Sequence, residues 1–209
     1  MFILFSMKES AASNPSRPPR LSQDERREQT RQHFLDAART LFARQGFAGT
    51  TLDQISEQAG YSRGAFHHNF ASKEDLLVAL ISACFAADVR TLQGLHDAGE
   101  ARQTQEFQAR SDNTPLNREA HLLKLEFWMC ALRLPRVGEV YAREFATYRQ
   151  ALAQLLSPDG DLRSEHVASI LMALSNGLDT QRLIDPEAIP TRVYEEALKR
   201  FVALDPEGK

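Results

Sequence analysis

Residues 50–77, "TTLDQISEQAGYSRGAFHHNFASKEDLL", hold three helix starts within 28 positions. Thr50 or Thr51 serves as the first N-cap, with Asp53 or Gln54 as the reciprocal third residue. Leu52, Ile55 and Ala59 recur at helical spacing, and Gly60 supplies the stop. A second short helix opens after Ser62, and Ser72 with Asp75 marks the start of a longer third. Two short helices joined by about four residues that include a glycine form the helix-turn-helix pattern.

The pair His67 and His68 first suggests a metal. Neighbours on a helix point about 100° apart, whereas chelating histidines favour spacings of three or four. No Cys, Asp or Glu lies four residues from either one, so no metal is expected. In a helix-turn-helix the start of the second helix can enter a major groove. Ser62, Arg63, Gly64, Ala65, His67 and His68 then fall on or near the DNA-facing side, while Phe66 and Phe70, four apart, anchor the helix inward. Arg63 can donate twice to a guanine edge, and Ala65 can meet a thymine methyl. Thr50 or Thr51 and Lys73 stand at helix N-termini, which favour phosphate.

Working outward, "SQDERREQTRQHFLDAARTLFARQGF" begins with a capping box of Ser22 and Glu25 and ends at Gly46. Phe34, Leu35, Ala38, Leu41 and Phe42 share one face of that helix. A Ser-, Pro- and Arg-rich stretch over residues 8–20 precedes it, read as a flexible basic tail. Downstream, one long helix runs over 74–96, and residues 97–115 read as a short helix or loop. Further apolar helices follow before Pro135, before "PDGD" at 158–161, and up to Ile184; a last one starts at Thr191. The expectation is an all-α chain of about nine helices. Residues 1–21 would be the tail, 22–76 a three-helix DNA-binding domain, and 77–209 a second helical domain.

The net charge of -3 gives no hint of nucleic acid, but its distribution does. Residues 17–44 carry a local +3 and residues 76–209 a local -4, so an anion would be met at one end only. Cys84 and Cys130 lie far apart in apolar runs and read as reduced core thiols. "MFILFSM" lacks the basic flank of a signal peptide, and no stretch approaches the roughly 20 apolar residues of a membrane span. A cytoplasmic location with no membrane partner is expected; Met1 and Met7 both remain open as the start. No nucleophile elbow, phosphate loop or paired-carboxylate motif is present, so neither enzyme activity nor a cofactor is expected.

The run "TRQHFLDAARTLFARQGFAGTTLDQISEQAGYSRGAFHHNFASKEDLL", residues 30–77, resembles the DNA-binding domain of the TetR family of bacterial repressors. The resemblance rests on the Ala-Ala-x-x-Leu-Phe core, Gly-Phe, Thr-Thr, the Ala-Gly turn, Phe70 and Ser72-Lys73. It departs at His67, where the family usually has a phosphate-binding tyrosine, and at Asn69, where His or Tyr is frequent; Asn69 is kept as a candidate DNA contact. "EFWMCALRLP" and "LSNGLDTQRLIDPEAIP" look like effector and dimer regions of a subgroup, a looser match.

The resemblance implies a homodimeric repressor released from a palindromic operator by a small effector held inside the bundle, which makes 77–209 an effector-binding and dimerisation domain; a helical ligand-binding module without DNA, or an activator, stays open as the alternative. Candidate pocket residues are Phe85, Val89, His121, Leu125, Trp128, Met129, Tyr141, Phe145, Tyr148, Met172 and Asn176, a composition that suits an apolar or aromatic molecule. Dimerisation would use the last two helices through Val167, Ile170, Leu171, Leu174 and Leu178, with Val193, Ala197, Leu198 and Phe201.

Overall fold

The computed structural model describes residues 22–98, 115–157 and 162–188, together with Val193 and Glu196. Among them are seven helices and no strand: α1 (Gln23–Gly49), α2 (Leu52–Ala59), α3 (Arg63–Asn69), α4 (Lys73–Ala98), α5 (Pro115–Arg133), α6 (Pro135–Leu156) and α7 (Leu162–Ile184). The remaining expected elements, over 97–115 and after Thr191, lie almost wholly outside the described residues, although Val193 and Glu196 are helical.

Local chemistry explains the boundaries. Ser22 and Glu25 form a reciprocal capping box, the Ser22 N–H donating to Glu25 Oε2 at 2.7 Å and the Glu25 N–H to Ser22 Oγ at 3.2 Å. For α2 the cap is Thr51, boxed with Gln54, which settles the choice between the two threonines. Ser72 Oγ accepts the Asp75 N–H at 3.0 Å and opens α4. Leu134 and Pro135 separate α5 from α6, with proline in the first turn where its missing N–H costs nothing.

One hydrophobic cluster joins the first four helices to α5 and α6. Phe34, Phe42, Ile55, Phe66, Leu76, Leu77, Leu80, Ile81 and Val137 are fully buried in it, with Leu123, Phe127 and Cys130 beside them. Each large side chain removed from water contributes roughly 1.5–3 kcal/mol before entropy is counted. The expected domain boundary between 76 and 77 falls inside α4, at two leucines that both belong to this cluster. The N-terminal three helices and the rest of the bundle therefore share α4 and a core.

Candidate nucleic-acid interface

α3 is short, and its orientation is fixed from both ends. The turn before it is made by Gly60 in the left-handed region (φ 78°, ψ 25°), where a side chain would be strained. The Gly60 and Tyr61 N–H groups close α2 by donating to Glu57 O and Ser56 O at 3.0 Å each. The Tyr61 ring then packs on His33 and Phe34, centroids 5.7 and 5.5 Å away, and its hydroxyl lies 3.0 Å from His33 Nδ1. Phe66, fully buried, stands edge-on to Phe34 at 5.4 Å, and Phe70 repeats the arrangement at 6.2 Å.

With those two rings inward, Arg63, Gly64, His67 and His68 are exposed. They form two i, i+4 pairs, so the four positions make one continuous ridge along α3. The structure thus brings together the centre of the predicted recognition surface. Arg63 Nη1 lies 3.3 Å from Asp53 Oδ1, a pair in which both side chains are mostly solvated and the guanidinium can be exchanged to another acceptor. Ser62 is exposed but engaged as N-cap, its Oγ accepting the Ala65 N–H at 3.2 Å. Ala65 is half-buried against the core.

Three other predicted DNA contacts are turned away. Thr50 is buried, its hydroxyl donating to Gly46 O at 2.7 Å; only Thr51 is exposed. Lys73 donates from Nζ to Phe47 O and Thr50 O at 2.7 and 2.6 Å, which commits two of its three N–H groups. Burial lowers its pKa from the ordinary lysine value, an effect partly offset by Cys130. Asn69 donates from Nδ2 to Ala65 O at 2.8 Å and finishes α3, its Oδ1 shut off from solvent. These side chains hold the corner around the ridge instead of extending it. The spacing alone could not show this, because a helix N-terminus favours phosphate and an internal cap equally well.

The predicted effector residues divide between two places. Phe85, Tyr141, Phe145 and Tyr148 form one aromatic group, with centroid distances of 5.2 to 6.3 Å from Phe85 to the other three. Trp128 Nε1 donates to the Tyr141 hydroxyl, whose pKa burial pushes up to about 12. His121, Leu125, Trp128 and Asn176 line a separate crevice between α5 and α7, together with Lys124, Asp179, Thr180 and Leu183. It has room for about 10 Å³, enough for one water. Val89 is half-buried and Met172 buried, but Met129 is 41% exposed and lies off any interior site.

Sequence reasoning missed Asp179, whose Oδ2 lies 3.2 Å from His121 Nε2 and closes the crevice. The available signal was an acid three residues after Asn176, on a face otherwise buried.

On α7 the residues of the predicted dimer stripe divide between inward and outward positions. Leu171 and Leu178 are buried within the protomer alongside Ala168, Met172 and Asn176. Val167 and Leu174 are half-buried, whereas Ile170 is 46% and Ile184 83% exposed. The outward residues are Ile170, Ala173 and Ile184, with Gly177 half-buried between them, about one helical step round from Leu171 and Leu178. Val193 is helical and half-buried; Ala197, Leu198 and Phe201 lie outside the described residues. No group of three or more metal-binding side chains is formed among the described residues, and none of their helices is long and apolar enough to cross a membrane.

Comparison with known proteins adds to this geometry. Residues 34–80 match the family described as bacterial regulatory proteins, tetR family, and residues 99–204 match the BetI-type transcriptional repressor C-terminal region. The transcriptional regulator BetI of Burkholderia thailandensis is 29% identical over 159 residues, 73% of this chain and 80% of that protein. The repressor AcnR of Corynebacterium glutamicum is 41% identical over 68 residues, but the match covers only 32% of this chain and 36% of AcnR. A transcriptional regulator from Pseudomonas aeruginosa PAO1 superposes with a TM-score of 0.68 at 25% identity, over 88% of this chain and 91% of that one. One from Saccharomonospora viridis, solved in complex with choline, gives 0.65 at 23% identity over 85% and 97%. With one match over the exposed ridge and another over half of the sequence, the chain belongs to the TetR family of bacterial regulatory proteins.

Proposed function

We propose that this TetR-family chain is a homodimeric repressor that grips a palindromic operator through α3 and is released by a small molecule bound in the helical body. The observation that carries the reading is the ridge of Arg63, Gly64, His67 and His68, exposed together on a helix whose opposite face is locked by Phe66 and Phe70. A rigid helix with a bare, partly cationic ridge suits a major groove. Ser62 and Thr51, at the N-termini of α3 and α2, sit beside it and can meet phosphate.

Reading a palindrome requires two such helices about one DNA turn apart, roughly 34–36 Å, and hence two copies. The exposed residues Ile170, Ala173 and Ile184, with half-buried Gly177 between them, support pairing through α7. The aromatic group around Phe85 supports an apolar or aromatic effector. The choline complex of the Saccharomonospora viridis relative favours a second choice, a quaternary ammonium held on those ring faces. Either molecule releases DNA only by binding the non-DNA state more tightly.

The test is a gel shift with labelled DNA from immediately upstream of the gene. A shift that weakens by about 10³–10⁵ between 50 and 200 mM salt is expected for ~6–10 phosphate contacts. Absence of any shift at low salt sinks the DNA-binding reading.

A further inference from the structure

Phe47 is the point where three helices meet. α1 breaks at Gly46, whose φ of 75° and ψ of 165° no ordinary helical residue adopts. The Phe47 N–H freed by that break donates to Glu126 Oε1 on α5 at 2.7 Å. Its carbonyl accepts from Lys73 of α4, and its ring lies 5.4 Å from Phe42 and beneath the same ammonium. A Cβ placed on Gly46 would come within 3.3 Å of Glu126 Oε1, so the carboxylate nests where a side chain is missing. Cys130 Sγ lies 3.9 Å from the same oxygen. Burial, with the Glu126 charge, pushes that thiol up to about 11, so it stays protonated and donates.

The same helix grips α7 on another side. His121 Nε2 lies 3.2 Å from Asp179 Oδ2, and the Arg118 guanidinium donates to Leu183 O at 3.0 Å. Five residues of helix separate His121 from Glu126, a rise of about 7.5 Å and a rotation of about 140°. One stiff rod therefore presents His121 to α7 and Glu126 to α1.

We infer that the Glu126 carboxylate is the coupling residue of this protein, a latch through which displacement of α5 against α7 is passed to the corner that carries α2 and α3. The functional meaning rests on the DNA-binding reading above. Phe47 lies four residues before Thr51, the N-cap of α2, so moving its N–H moves the platform of α3. A charge-assisted hydrogen bond at 2.7 Å is short and directional, and a shift of α5 by a fraction of an ångström weakens it. The neighbouring Arg44–Glu119 pair also spans α1 and α5, but it is largely solvated and weak.

A double-mutant cycle on the full-length protein tests the latch, with Asp179→Asn as the disturbance at the α7 side and Glu126→Ala as the cut. Two readouts are taken: affinity for labelled upstream DNA, and amide hydrogen exchange over residues 46–51. Asp179→Asn is expected to change DNA affinity at least threefold and to speed exchange over 46–51 in an otherwise wild-type chain. In the Glu126→Ala background it should do neither, while Glu126→Gln, which keeps an acceptor, should restore part of both. Effects that simply add, or exchange over 46–51 indifferent to Asp179→Asn, overturn the proposal. A merely structural Glu126 would lower Tm in all backgrounds and leave the effects additive. A wild-type chain that binds no DNA but shows the coupled exchange removes the repressor reading and leaves the latch standing.

Discussion

Lys73 lies across Phe47, its ammonium 4.3 Å from the ring centroid and donating to that residue's carbonyl oxygen at 2.7 Å. Together with the bond to Thr50 O, this closes the end of α1 from the start of α4. A phosphate-contacting lysine and a capping lysine predict different outcomes for Lys73→Met. Loss of this cap leaves Thr50 O without its ammonium partner and Phe47 O with only the Thr50 N–H at 3.3 Å, a cost of about 1–3 kcal/mol seen as a Tm lowered by several degrees. Loss of a phosphate contact would instead reduce the slope of log affinity against log salt by about one. The expected result is a lower Tm with an unchanged slope.

The ridge on α3 makes the opposite prediction. Arg63→Ala removes an exposed guanidinium whose pairing with Asp53 is mostly solvated, so Tm should stay within about 1 °C. Operator affinity should fall by about 1–3 kcal/mol, with relaxed specificity at one base position. His67 is exposed beside it, and a ring N–H there can donate to a phosphate oxygen. His67→Ala should weaken operator binding with Tm unchanged, while His67→Tyr, which keeps a donor, should still bind. Unchanged affinity in His67→Ala would remove His67 from the contact.

Capping boxes at Ser22 and at the Thr50–Thr51 pair, the Gly60 turn and the Phe66–Phe70 spacing are local signals, each decided within a few residues, and the structure follows them. The ridge followed because two buried rings fix the rotation of a two-turn helix. Lys73, Thr50 and Asn69 could not be read the same way. Their inward partners are the carbonyls of Phe47, Gly46 and Ala65, and a backbone oxygen leaves no trace in the side-chain pattern. The α7 stripe divides for another reason: apolar residues at 170, 171, 174 and 178 fit two helical faces about 100° apart, and only packing against α6 shows which of them point inward. Glu126 is the extreme case, an acid in an apolar helix whose role depends on a residue 79 positions away.

The Asp75–Arg136 ion pair ties α4 to α6 and gives the fold an acid-sensitive seam. The hydrogen bond from Arg136 holds the Asp75 carboxyl below its ordinary value, helped by Ser72 and opposed by partial burial. A carboxylate with a depressed folded pKa stabilises the fold above the unfolded value, about 3.9, and that contribution is lost as pH falls through the folded value. Asp75→Asn should lower Tm at pH 7 and narrow its difference from wild type as the solution is taken below about pH 4. A gap that stays constant down to pH 3 would show that the charge on Asp75 contributes nothing.

On the homodimer proposed above, the two faces of α7 would separate folding from association. Leu171, 7% exposed inside the protomer, should cost about 2–5 kcal/mol on truncation to alanine, because a cavity is left among its neighbours. Ile170 is next in sequence but points outward at 46% exposure, and Ile184, at 83%, extends the same stripe past Ala173 and Gly177. Burying a carboxylate there against a second copy would leave it unpaired and desolvated. Ile170→Asp should therefore keep the helical content of the protomer yet shift the mass measured by light scattering toward that of one chain, and operator affinity should fall with it. Leu171→Ala should do the reverse, losing Tm while the surviving folded fraction stays paired. Should Ile170→Asp and Ile184→Asp both keep the wild-type mass, the pairing surface lies elsewhere than on this stripe of α7.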